Sequence, residues 1–131
     1  MPLEYRERIV RSRAEDTLYC ERLFDVGWPD APHRVIRNRA VDEWIAAGRP
    51  ASGERPGEGT RIGTVTRGGT TSDVDRYAPF MLTPEFEGDA EYAPFWAGES
   101  CSLIDDMKPA GDIVADLVAE ARRVIARLQA T

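Results

Sequence analysis

The sequence predicts an α+β fold, rich in helix, with residues 1–131 forming a single domain, and three observations carry that expectation. A chain of 131 residues suits one domain with a modest core. Apolar residues recur at helical spacing in three stretches, and a Gly-Gly step separates two strand-like runs. A complete eight-stranded β/α barrel needs about 250 residues, so length alone excludes it.

Residues 2–14 are expected to form the first helix. Pro2 suits a first-turn position, Leu3, Tyr5, Ile9 and Val10 make one apolar side, and Glu4/Arg8 and Glu7/Arg11 stand at ion-pair spacing. Residues 17–24 are aromatic and branched enough for a short strand, ended by the turn-forming run from Asp25 to Asp30. A second helix is expected over residues 32–47, with Ile36, Ala40, Val41, Trp44 and Ile45 on one face and Gly48 as its stop.

Composition then shifts. Residues 49–59 are rich in Pro, Gly, Ser and charge and predict an exposed loop, because they offer little apolar surface against the entropy of ordering. Residues 61–66 and 71–77 predict a β-hairpin across Gly68 and Gly69, which admit the positive φ angles of a tight turn. Residues 79–88 read as irregular, Asp89 as the cap of a short helix running towards Trp96 that Pro94 shortens or bends, and Pro109 as the opening of a final helix. There Ile113, Val114, Leu117, Val118, Ala121, Val124, Ile125 and Leu128 keep the 3.6-residue period, with acids early and bases late on the other side.

Several function classes are disfavoured by composition. The formal net charge of −6 repels phosphate, so neither nucleic acid nor an anionic membrane surface is an expected partner. No apolar stretch is long enough to span a bilayer, the N-terminus lacks the apolar run of a signal peptide, and a cytoplasmic location is expected. Cys20 and Cys101 stand outside any CxxC pair and read as small buried residues, and a lone His33, placed at a helix start, supplies no metal shell. Trp28, Trp44 and Trp96 read as core or interface packing. Arg34, Arg37 and Arg39 read as a solvated helix face paired with Asp42 and Glu43, and Asp105-Asp106 as a turn or helix start.

Three stretches carry a resemblance. They are Arg6 to Phe24 with its Asp16-Thr17 step, the run Arg34-Val35-Ile36-Arg37-Asn38-Arg39, and the run from Trp96 through Gly98-Glu99-Ser100 to Asp106. In this order and spacing the chain resembles the C-terminal portion of the flavin-dependent nitronate monooxygenases, once called 2-nitropropane dioxygenases. The resemblance implies a small lid-type domain of a TIM-barrel flavoenzyme that carries FMN and oxidises alkyl nitronates with O2 to a carbonyl compound and nitrite.

It also implies that the glycine-rich phosphate loops and the catalytic histidine belong to a separate or upstream FMN-binding barrel. No catalytic residue of this chain is assigned, and the chain alone is not expected to bind FMN. Only the 96–100 turn carries over as cofactor-facing: Trp96 at its start, Gly98 for close backbone approach, Glu99 where the family more often has Gln, and Ser100 as a hydroxyl donor. The alternative is a non-catalytic interaction or oligomerisation module derived from the same family. In either case the apolar stripe of the last helix must be covered.

Overall fold

Pairing of two short strands organises the N-terminal half of the computed structural model, which describes residues 1–129. Strand β1 (Thr17–Cys20) runs antiparallel to β2 (His33–Ile36), with Leu18 opposite Val35 and Tyr19 opposite Arg34. Along the free edge of β2, residues 95–97 add a third strip: Ile36 N–H donates to the Phe95 carbonyl (2.8 Å) and Ala97 N–H to the Arg34 carbonyl (3.2 Å).

This corrects the helix expected over residues 32–47. Only its second part is helical, α2 (Arg39–Ala46), and the first part is β2. The reason lies in which side chains share a face. Val35 packs with Cys20, Leu23, Phe24, Ala40, Val41, Trp44 and Tyr77, whereas the adjacent Ile36 packs with Tyr5, Leu82, Ala93 and Phe95. Neighbouring residues on opposite faces is the period of a strand, so β2 separates two cores.

Asn38 starts α2. Its backbone is extended, its Oδ1 accepts from Val41 N–H (3.1 Å), and its Nδ2 donates to the Ala93 carbonyl (2.7 Å). Gly48 ends the helix as expected, with φ +84°. Because Asn38 is buried, its replacement by alanine would orphan both a helix N–H and a buried carbonyl. We expect Asn38→Ala to lose about 2–3 kcal/mol of unfolding free energy in urea denaturation.

The first helix, α1, covers Leu3–Arg11, shorter than residues 2–14 because Ser12 and Arg13 are extended and a separate 3-10 turn follows at Ala14–Asp16. Of the two expected ion pairs, Glu7 and Arg11 meet at 3.5 Å, but Arg8 reaches Glu91 instead of Glu4 and lies over the Phe95 ring. β1 stops at Cys20 rather than running to residue 24, since Leu23 and Phe24 turn inward to the core.

The hairpin forms as expected with its ends shifted: β3 (Arg61–Arg67) and β4 (Thr70–Asp75), which stops two residues short of residue 77, meet across Gly68 and Gly69, both at positive φ (56° and 80°). Residues 79–88 are not wholly irregular. Their end is strand β5 (Phe86–Gly88), which joins the other edge of β3 and gives the order β4-β3-β5.

Residues 49–59 also depart from expectation. Most are exposed, but Arg55 is buried with its side chain wholly out of solvent. It pairs with Asp25 (2.6 Å) and Glu58, donates to Ser52 Oγ (2.9 Å) and the Leu23 carbonyl, and lies over the Tyr77 ring. The loop is ordered by charge and hydrogen bonding where apolar surface is lacking. Next to it Gly57, at φ +66°, leaves room for Arg76, whose Nη1 would lie 2.5 Å from any Cβ there.

The last element, α3 (Ala110–Gln129), follows Pro109 as expected. Every residue from 103 to 129 is exposed, including the whole apolar stripe. The architecture is mixed α+β, two small antiparallel sheets with three α-helices, and the described residues form no closed barrel.

Candidate functional site

The 96–100 turn is assembled from the segment before it. Asp89 Oδ1 caps the 3-10 turn at Ala90–Tyr92 by accepting from Glu91 N–H (3.0 Å), and the chain then extends through Pro94. Ala93, Pro94 and Phe95 are buried, with Phe95 edge-on to Tyr5 at 5.1 Å between ring centroids. This plug of side chains fixes where Trp96 emerges.

Trp96 is held on every side. It bridges to Val35, its Nε1 donates to the Phe80 carbonyl (3.0 Å), and its carbonyl accepts from the Tyr5 hydroxyl (2.6 Å). Its ring meets His33 edge-on at 4.9 Å and Phe24 at 5.9 Å. Burial pushes the Tyr5 phenol up to about 12, so it stays protonated and keeps donating.

His33 lies on β2 rather than at a helix start. Its Nδ1 donates to the Ala31 carbonyl (2.8 Å), and Nε2 faces the Phe24 N–H at 3.5 Å. Both ring nitrogens are engaged in packing the Trp96 side of the core.

Beyond Trp96 the turn opens outward. Gly98, Glu99 and Ser100 are exposed, and Glu99 pairs with Arg34 at 2.8 Å. Arg34 is itself oriented by donating to Thr17 Oγ1 (2.9 Å). Cys101 then tucks back into the protein, its N–H donating to the Gly98 carbonyl (3.1 Å). The structure therefore brings Trp96, Gly98, Glu99 and Ser100 onto one short turn and adds Tyr5, His33 and Arg34 behind it. Of these supports, Arg34 lay within a motif legible in the sequence, while nothing local marked Tyr5, which is 91 positions from Trp96.

Do these residues fit a flavin? Gly98 has φ −82°, and a Cβ there would meet only Ser100 Oγ at 3.6 Å, so no crowded cradle demands glycine. The Glu99 carboxylate accepts hydrogen bonds and donates none, and its charge is engaged by Arg34. One hydroxyl and an open turn do not enclose an isoalloxazine or grip its phosphate. The residues of the 96–100 turn do not by themselves fit FMN.

Other charged groups are committed elsewhere. A cleft between α1 and the start of α2 is lined by Arg8, Arg11, Arg37 and Arg39, each already paired: with Glu91, Glu7, Asp42 and Asp89. Only Arg37 with Asp42 matches the expected helix-face pairing, since Arg34 lies on β2 and Glu43 bonds Arg76. Asp105 lies 3.7 Å from Arg13 and Asp106 3.6 Å from Lys108 in the turn ahead of α3. Trp44 is buried and Trp96 packs on the core, but Trp28 is 63% exposed. Among the described residues no cluster of His, Cys, Asp and Glu could hold a metal, and no helix is long and apolar enough to cross a membrane.

Both cysteines are buried, as expected. Burial raises the Cys20 thiol to about 11, against the opposing pull of Arg49 and Arg34. At about pH 8 the thiolate is scarce, so Cys20 is expected to react with a thiol reagent only at the rate at which the protein unfolds. A rapid native reaction, located at Cys20 by mass spectrometry, would refute this.

Compared with family models, with curated proteins and with solved structures, the chain matches none.

Proposed function

We propose that this chain is the cap of an FMN-dependent, nitronate monooxygenase-like oxidoreductase, closing over a flavin-binding barrel carried on a separate or upstream segment. The complete enzyme oxidises alkyl nitronates with O2 to a carbonyl compound and nitrite. One observation carries the reading. The turn that bears the resemblance is braced from behind by Tyr5, Val35 and Arg34, while its polar tip at Gly98, Glu99 and Ser100 faces outward. A loop held on a rigid scaffold with its tip exposed suits presentation to a site built by another body. Because the 96–100 turn alone does not fit the flavin, the cofactor, its phosphate grip and the catalytic histidine are assigned to the barrel.

A direct test uses colour and turnover. The purified chain, incubated with FMN and desalted, is expected to stay colourless and leave propyl-2-nitronate unconsumed. Co-expressed with a flavin-binding barrel of the nitronate monooxygenase type, it is expected to co-purify as a yellow complex and to change nitronate oxidation. Turnover by the chain alone, or a barrel indifferent to its presence, sinks the reading.

A second reading, an interaction or oligomerisation module derived from the same family, is favoured by the bare apolar face of α3. It requires no flavin at any stage. Association that persists with no effect on any flavin-dependent reaction would select it over the first.

A further inference from the structure

The face of α3 has a definite charge pattern along its edge. Leu117 and Leu128 are 62% and 73% exposed, and the helix extends about 30 Å without burying a residue. Helices in water draw most of their stability from burying an amphipathic face, so this one calls for a cover. Glu120 and, one heptad later, Arg127 flank the stripe, whereas Asp112, Asp116, Arg122 and Arg123 are turned away from it and Asp116 is paired with Lys108 (2.9 Å).

That polarity selects an occupant. Two copies laid parallel would set Glu120 beside Ile125 of the second copy, with no charge to meet it. Laid antiparallel, Glu120 of each copy faces Arg127 of the other, and the contact closes on a twofold axis.

The spacing of the stripe defines the register. Leu117, Ala121, Val124 and Leu128 recur at alternating three- and four-residue steps, the seam of a two-stranded coiled coil. Layering Leu117 on the second copy's Leu128, and Ala121 on its Val124, brings Val118 to Ile125 along one flank and Glu120 to Arg127 along the other. Symmetry repeats each contact. Sliding by one heptad would instead set Glu120 against its own copy on the axis, a like-charge contact.

We propose that a second copy of this chain covers the apolar face of α3, as an antiparallel helix pair in which Glu120 of each copy meets Arg127 of the other. The inference goes beyond the flavoenzyme reading and does not depend on it, because the α3 face is separate from the 96–100 turn on which that reading rests.

Sedimentation equilibrium of the full chain tests the pairing. The unaltered protein is expected to show dimer mass in the micromolar range. Leu117→Glu is expected to give monomer, with the near-ultraviolet dichroism of the body unchanged because Leu117 touches none of the buried core. Glu120→Arg and Arg127→Glu are each expected to weaken the dimer about tenfold by turning two attractive contacts repulsive, and the double variant to recover it.

Monomer at every concentration, or a dimer indifferent to Leu117→Glu, overturns the proposal. Single charge variants that weaken the dimer with no recovery in the double variant overturn the antiparallel register. These readouts are masses, and the flavoenzyme reading is judged by FMN retention and nitronate turnover, so the two can fail separately.

Discussion

Replacing Arg55 with alanine is expected to cost about 3–5 kcal/mol of stability, the largest effect of any single charge change in this chain. The guanidinium is completely buried and pairs with two carboxylates, Asp25 and Glu58, of which Asp25 is nearly as buried as Arg55 itself. Its removal strands Asp25 away from water, withdraws a donor from the Leu23 carbonyl, and takes a cation from the face of Tyr77. Arg55→Lys is expected to recover only part of the loss, since an ammonium cannot span Asp25, Glu58 and Ser52 as the planar fork does.

The same cluster predicts an acid limb. Arg55 holds the Glu58 carboxyl down at about 2, from an ordinary 4.5. A carboxyl lowered by folding contributes stability that is fully present above its unfolded value and is lost as pH falls through the folded one. The window is therefore pH 4.5 down to about 2. The contribution is on the order of 1–2 kcal/mol once the solvent access of Glu58 is allowed for. Urea midpoints measured across that window should fall for the unaltered protein and flatten in Glu58→Gln. Equal slopes in the two proteins would show that the cluster does not carry the acid sensitivity.

Replacing Phe95 with alanine is the second large effect, about 3–5 kcal/mol. Phe95 is fully buried, edge-on to Tyr5 and under the Arg8 guanidinium, and its own carbonyl accepts from Ile36 N–H. The alanine would leave a cavity between α1, β2 and the 96–100 turn. Tyr5 would lose the surface that fixes its hydroxyl beneath Trp96, so near-ultraviolet dichroism should weaken along with stability. Phe95→Leu, which keeps most of the volume, is expected to cost about 1–2 kcal/mol. A cost for Phe95→Ala below about 1 kcal/mol would mean that the second core does not support the turn.

Local chemistry made several elements legible. Gly68-Gly69 specifies a hairpin because both residues adopt positive φ, Gly48 stops α2 for the same reason, and Asp89 caps the turn that it immediately precedes. The stripe of α3 was also legible, being a pattern within one helix. The strand at residues 33–36 was not. Ile36, Ala40, Val41 and Trp44 fit a helical face by number, and only pairing with β1 and with residues 95–97 makes Val35 and Ile36 point into different cores.

The site divides in the same way. Trp96, Gly98, Glu99 and Ser100 stand together in sequence, so a motif could single them out. What holds them does not: Tyr5 and Arg34 come from distant segments, and their contacts exist only after α1 and β2 have docked. The order of residues 49–59 depended on the fold as well, because a segment poor in apolar surface is fixed by Arg55 only once Asp25, Leu23 and Tyr77 have enclosed it.

By itself the sequence determined what one residue's backbone or one helix's periodicity can decide: the hairpin turn, the helix stop, the capped 3-10 turn and the amphipathic last helix. Tertiary structure alone decided the face of Val35 against Ile36, the partner of Arg8 and the burial of Arg55. Those outcomes depend on which distant groups exclude water together, and pairing and desolvation are properties of the assembled chain rather than of any short stretch of it.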